Sequence, residues 1–130
     1  MDIDRFKETN DSMGHLEGDR HLRHVAGAIR RSIRKDVDLA FRYGGDEFVI
    51  LLPGSGSERA AMVGRRIQLA CLPSPAVSLS IGTASMRKGD DAGALLRRAD
   101  ARMYAEKRRK RSVRLPGLER LAATWFSASA

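Results

Sequence analysis

The sequence predicts an α+β domain in which helices cover a mostly antiparallel sheet. Two apolar runs, Asp38 to Arg42 and Phe48 to Leu52, flank the tight turn Tyr43-Gly44-Gly45-Asp46 and read as a β-hairpin. Val77, Leu79 and Ile81 alternate with Ser78 and Ser80, the period-two pattern of a strand with one greasy and one hydroxyl face. Helical periods lie before, between and after these runs, so strands and helices are interleaved along a chain that suits a single domain.

The first long helix is expected from Gly18 to Arg34. Leu22, Val25, Ala26, Ile29 and Ile33 recur there at steps of three and four, while arginines take the other positions. Pro53-Gly54 ends the hairpin. A second helix is expected from about Ser57 to Ala70, with Ser57 and Ala60 forming an imperfect capping box and Pro73 and Pro75 closing it off. Gly82 ends the alternation of the later strand. After Asp90-Asp91, a third helical period runs through Leu95, Ala99 and Met103 into a basic tract, and residues 115–130 read as a tail. The polar, glycine-punctuated stretch from Asn10 to Asp19 reads as a loop before the long helix. The expected order is therefore a strand end, helix, hairpin, helix, strand, helix.

Composition excludes several classes. The 130 residues are 42% apolar and 31% charged, too hydrophobic for a disordered polymer, and no apolar run reaches the ~18 residues of a spanning helix. The opening Asp2, Asp4, Arg5 and Lys7 are unlike a signal peptide, so a soluble, cytoplasmic protein without membrane contact is expected. Cys71 is the single cysteine, which rules out an intramolecular disulfide and a thiolate cage. Of the net charge of +8, nearly all falls between Arg97 and Arg114, where nine bases face two acids. Such a tract serves a polyanionic small molecule, a nucleic acid, or simply a solvated helix end.

Four acids form two short clusters, Asp2 with Asp4 and Asp46 with Glu47. Alternation sends Asp2 and Asp4 to the same side of an extended segment. Hard oxygens at a strand end and a turn are ligands for Mg²⁺, whose shell is completed by water and phosphate. Gly44 and Gly45 leave room for the backbone to approach a ligand, although Gly-Gly-Asp is also ordinary turn chemistry. Lys7 brings a cation beside the first acids. Lys107 and Arg111, four apart on a helix, share a face suited to a triphosphate. Asn10 and Asp19 suit the edge of a purine, but such residues also make turns and caps, and His15 alone reads as a loop histidine.

In combination these segments resemble the GGDEF domains of bacterial diguanylate cyclases. Asp2-Ile3-Asp4-Arg5-Phe6-Lys7, Asn10-Asp11, Gly14-His15, Gly18-Asp19, Arg42-Tyr43-Gly44-Gly45-Asp46-Glu47-Phe48, Val77-Ser78-Leu79-Ser80-Ile81-Gly82, and Ala99-Asp100 with Tyr104 and Lys107 follow in that family's order and spacing. The resemblance implies a palm-like sheet of the nucleotidyl cyclase type and condensation of two GTP into cyclic di-GMP with release of pyrophosphate. It further implies Mg²⁺ or Mn²⁺ held by Asp2, the carbonyl of Ile3 and Asp46, with Asp46 and Glu47 as catalytic residues. Asn10, His15 and Asp19 would read guanine and ribose. Phe6, Lys7, Lys107 and Arg111 would hold the phosphates, and turnover would need a homodimer.

Departures from the family pattern shape further expectations. An Asp-x-Leu-Thr-Gly-Leu-x-Asn-Arg helix and an apolar strand normally precede the acidic pair, whereas here Met1 stands directly before Asp2. The resemblance thus implies a partial domain over residues 1–114, truncated at its N-terminus and lacking the first helix and most of the first strand. Lys110-Arg111-Ser112 stands where Gly-Arg-Asn is usual. The inhibitory Arg-x-x-Asp motif appears as Lys35-Asp36-Val37-Asp38, and lysine lacks the planar fork of arginine, so a degenerate inhibitory site is expected at Lys35 and Asp38. A catalytically dead GTP-binding or interaction module is the alternative function. A basic nucleic-acid binder fits less well, since only Tyr104 interrupts the tract as a stacking residue.

Overall fold

The computed structural model describes residues 1–73 and 77–112. In chain order they form β1 (Asp2–Ile3), α1 (Phe6–Met13), α2 (His15–Ser32), β2 (Leu39–Arg42), β3 (Phe48–Leu51), α3 (Ser57–Ala70), β4 (Leu79–Ser80) and α4 (Ala92–Ser112). This is the expected α+β architecture, and every ladder is antiparallel. Pro75, Arg114 and the tail from Leu115 lie outside the described residues.

β2 and β3 form the expected hairpin, with Leu39 opposite Leu51 and Arg42 opposite Phe48. β1 pairs on one side with β4, Asp2 opposite Ser80 and Ile3 opposite Leu79. On its other side β1 meets the start of β3: Asp2 bridges to Glu47, the Ile3 N–H donates to the Asp46 carbonyl at 3.1 Å, and Met1 and Phe48 exchange hydrogen bonds of 2.9 Å. The order in space is thus β4-β1-β3-β2, and the short β1 joins two antiparallel pairs.

Strand alternation decides what each face carries. Ile3 and Leu79 point the same way and enter the main core with Phe48, Val77, Leu22, Val25, Ala28 and Ile29 of α2, Val63 and Ile67 of α3, and Cys71. Each large aliphatic buried there contributes roughly 1.5–3 kcal/mol. Asp2 and Ser80 point to the opposite face, where α4 lies. Cys71 is fully buried, as a small hydrophobe, and desolvation pushes its thiol pKa up.

Several expectations need correction. The stretch from Asn10 to Asp19 is not a loop: α1 occupies residues 6–13, and α2 begins at His15, three residues earlier than the periodicity indicates. Its turn-forming residues are overridden by packing of α1 on α2, and Gly14, at φ 86°, makes the break between them. Asp19 therefore lies inside a helix and caps nothing. α3 starts where expected, but Gly56 is its N-cap and no side chain caps it. The later strand is reduced to Leu79–Ser80 because its partner β1 has two residues.

Candidate active site

The site is built where β1, the hairpin turn and the end of α4 meet. Arg5, at φ 61°, turns the chain sharply from β1 into α1, so Asp2 and Asp4 stay at the strand end while Phe6, Lys7 and Asn10 move onto a helix. The hairpin tip is tied from within. The Tyr43 N–H donates to the Glu47 carbonyl at 2.8 Å, and the Arg42 guanidinium donates twice to the Gly45 carbonyl, at 2.7 and 3.0 Å. Glu47 folds its carboxylate over Gly44, where an added Cβ would stand 3.0 Å from Oε2.

Asp2 and Asp4 share one face, as alternation requires, and each meets a lysine of α4. Lys107 Nζ donates to Asp2 Oδ1 at 2.6 Å, and Lys110 Nζ donates to Asp4 Oδ2 at 3.1 Å. The two acids are nevertheless pushed in opposite directions. Burial raises the Asp2 pKa above the usual carboxylate range; the bond from Lys107 opposes this, and the nearby negative charge of Asp46 adds to it. Burial also acts on Asp4, but hydrogen bonds from Ser78, Ser80 and Lys110 outweigh it and bring its pKa below that range. The Ser78 and Ser80 hydroxyls reach Asp4 at 2.5 and 2.6 Å. Asp4 is thus satisfied by three donors, whereas Asp2 is held by Lys107 alone.

The donor chemistry suits a hard divalent cation. The Asp2 carboxylate stands within electrostatic reach of Asp46, whose backbone carbonyl accepts the Ile3 N–H, and two like charges on one seam favour a cation shared between them. Among the described residues no group of three or more His, Cys, Asp or Glu that could hold a metal ion converges.

On the side formed by α1 and α2, the Asn10 amide lies over Gly18, where an added Cβ would stand 1.9 Å from Oδ1 and 3.3 Å from the Phe6 ring. Asn10 Oδ1 is buried and meets no donor among the described residues. His15 and Asp19, on the first turns of α2, are exposed, as is Lys7 on α1. Asp2, Ile3, Asp46, Glu47 and Lys107 are therefore drawn together, with Phe6 and Asn10 as a neighbouring wall.

The lysines that engage the acids are Lys107 and Lys110, three apart, and Arg111 is exposed at the end of α4. Lys110 was legible only through its i+4 spacing from Glu106, with which it pairs at 3.3 Å. Lys35 and Asp38, the expected degenerate inhibitory site, lie on the turn between α2 and β2. Asp36 takes a left-handed turn at φ 62° that returns the chain on itself, and the buried Asp38 accepts bonds from the Arg34 backbone at 2.7 Å and its guanidinium at 2.7–3.2 Å. Arg34 holds the Asp38 carboxyl below its usual pKa, and Lys35 is exposed.

Comparison with known proteins places these features in a family context. The family model described as diguanylate cyclase, GGDEF domain, matches residues 1–113. The chain is 37% identical over 117 residues to diguanylate cyclase DgcP of Pseudomonas aeruginosa, covering 83% of this chain and 17% of that protein. It is 38% identical over 118 residues to the response regulator PleD of Caulobacter vibrioides, covering 82% and 26%. Among solved structures, the GGDEF domain of DgcB from Caulobacter crescentus, in complex with c-di-GMP, has a TM-score of 0.76 at 33% identity, covering 82% of this chain and 68% of that one. The GGDEF domain of YfiN (TpbB) from Pseudomonas aeruginosa has a TM-score of 0.74 at 39% identity, covering 83% and 73%. The chain spans about a quarter or less of the length of the curated relatives it matches.

Proposed function

The chain belongs to the GGDEF family of diguanylate cyclase domains, and on that premise we propose that it binds GTP with Mg²⁺ or Mn²⁺ and condenses two GTP into cyclic di-GMP. The observation that carries this reading is the meeting of Asp2, Asp46 and Lys107, from three distant segments, on one seam.

Asp2, Asp46 and the Ile3 carbonyl would hold the metal, which supplies charge neutralisation at the reacting phosphate and a lowered pKa for a bound hydroxyl. Lys107 is close enough to exchange Asp2 for a phosphate oxygen, with Lys7, Arg111 and the backbone at Phe6 as further phosphate donors. The buried, unmatched Asn10 Oδ1 suits an N–H donor on the guanine edge, and His15 and Asp19 flank the same wall. In each half-reaction the 3′-oxygen of one GTP bonds to the α-phosphorus of the other as the bond to the β-phosphate bridge breaks and pyrophosphate leaves. Glu47, beside Asp46 at the hairpin tip, would take up the hydroxyl proton. One seam holds one GTP, so ring closure needs two protomers face to face. Of the basic tract, Lys110 is engaged by Asp4 and Glu106 within the protein. No described helix is long and apolar enough to cross a membrane.

The test is Asp46→Asn. Cyclic di-GMP formation followed across protein concentration should fall by on the order of 10²-fold, the scale for removing one electrostatic group from a reacting centre, with circular dichroism unchanged. Formation at the wild-type rate would refute the assignment.

A further inference from the structure

Lys110 occupies a position the site does not account for. Its ammonium is closed in by Asp4 Oδ2 at 3.1 Å, the Glu106 carboxylate at 3.3 Å and the Leu79 carbonyl oxygen. Those partners belong to the end of β1, to α4 itself and to β4, and each is fixed by others. Asp4 accepts from both serine hydroxyls. Glu106 accepts the Ile81 N–H at 2.8 Å and the Gln68 amide at 3.0 Å, and that amide also donates to the Leu79 carbonyl at 3.0 Å. Lys107, one turn earlier, is joined to Asp2 by a single bond of 2.6 Å.

The two lysines therefore differ in what a newcomer does to them. A cation held by Asp2 and Asp46 would compete with Lys107 for the Asp2 charge, and Lys107 would be freed because a single bond holds that pair. Asp4 gains nothing from the same cation, since three donors already satisfy it. We propose that Lys110 is a positioning residue: it pins the last turns of α4 to β1 and β4, so that Lys107 passes from Asp2 to a phosphate while the helix stays in register. This rests on the GTP reading above, in which Lys107 is a phosphate ligand.

The experiment uses the full chain, Lys110→Met, which keeps the aliphatic stem and removes the charge, and Lys110→Arg, which restores a cation. Three quantities are measured: amide hydrogen exchange over residues 104–112 without nucleotide, affinity for a non-hydrolysable GTP analogue with Mg²⁺, and affinity for Mn²⁺ alone. Lys110→Met should exchange faster in that segment only and bind the analogue about tenfold more weakly, less than the ~10²-fold that a full ångström of misplacement costs. Its Mn²⁺ affinity should match the wild type, and Lys110→Arg should recover both losses in large part. Wild-type exchange and analogue binding in Lys110→Met would overturn the proposal. So would a uniform loss of protection together with Mn²⁺ binding, which marks a general fold residue, and so would failure of the arginine to restore either quantity. If the wild-type chain binds no analogue, it is the GTP reading that falls, and exchange over residues 104–112 still decides whether Lys110 anchors α4.

Discussion

Gly82 gives the sharpest test of how α4 is seated. A Cβ built on it would lie 1.9 Å from the Ala99 carbonyl oxygen, 2.3 Å from the Met103 nitrogen and 3.0 Å from the Ala99 carbonyl carbon, all backbone atoms of α4. Backbone atoms cannot rotate away, so Gly82→Ala must translate the helix by about 1.5 Å to restore ordinary contact. That shift exceeds the slack in the 2.6 Å bond from Lys107 to Asp2 and the 3.1 Å bond from Lys110 to Asp4. Overpacking costs about 1–3 kcal/mol in general, and rigid neighbours put this case at the top, near about 3 kcal/mol, or a fall in Tm of roughly 12 °C or more. Gly64→Ala is the control. There the added methyl would meet only the Ile81 side chain, at 3.3 and 3.8 Å, and the helix gains up to ~1 kcal/mol in propensity, so its stability should stay within about 1 kcal/mol of wild type. Thermal melts followed by circular dichroism decide the matter. If the two variants melt together, close-packing of Gly82 on α4 is not what seats the helix.

Two further outcomes follow from the same geometry. Gly18→Ala displaces the mobile end of Asn10 and not the backbone, so Tm should hold or rise with the ~1 kcal/mol helix gain, while calorimetric titration shows at least about tenfold weaker GTP binding and lost preference over ATP. Asp90 is held at about 2, below its ordinary 3.8, chiefly by hydrogen bonds from Arg98 and also by the Arg87 N–H. A depressed carboxylate stabilises the fold above its unfolded pKa and loses that contribution as pH falls through the folded one. The Tm difference between wild type and Asp90→Asn should therefore be constant above pH ~5, shrink from about pH 4 downward and vanish only below about pH 2; a gap undiminished at pH 2 would contradict it.

Much of this arrangement was legible from residue pattern. The hairpin declared itself because alternation and Gly-Gly-Asp turn chemistry agree, and the shared face of Asp2 and Asp4 followed from the period of a strand. α1 was not legible: Thr9, Asn10, Asp11 and Ser12 favour turns locally, and only burial of the Phe6 and Asn10 side against α2 makes a helix the better state. The choice of Lys110 over Arg111 is also tertiary. Both spacings from Lys107 are compatible with one helix face, and only the contacts of Lys110 with Asp4 and the Leu79 carbonyl distinguish them. Arg34 engages Asp38 for a local reason, the left-handed Asp36 between them, which a non-glycine sequence does not announce.

The short β1 has a consequence for how the molecule assembles. The hairpin closes over neighbouring residues, but Asp4 finds Ser78 across 74 positions and Asp2 finds Lys107 across 105. Closing such long loops is slow and entropically dear, so the seam forms after the local elements. The tie between the first acids and α4 therefore rests on the longest loop closures in the site. Occupancy of the seam must then report on the whole chain. A ligand that bridges it at 100 times its Kd deepens the native well by about 2.7 kcal/mol for every element at once, turning a local binding event into a global gain in cohesion.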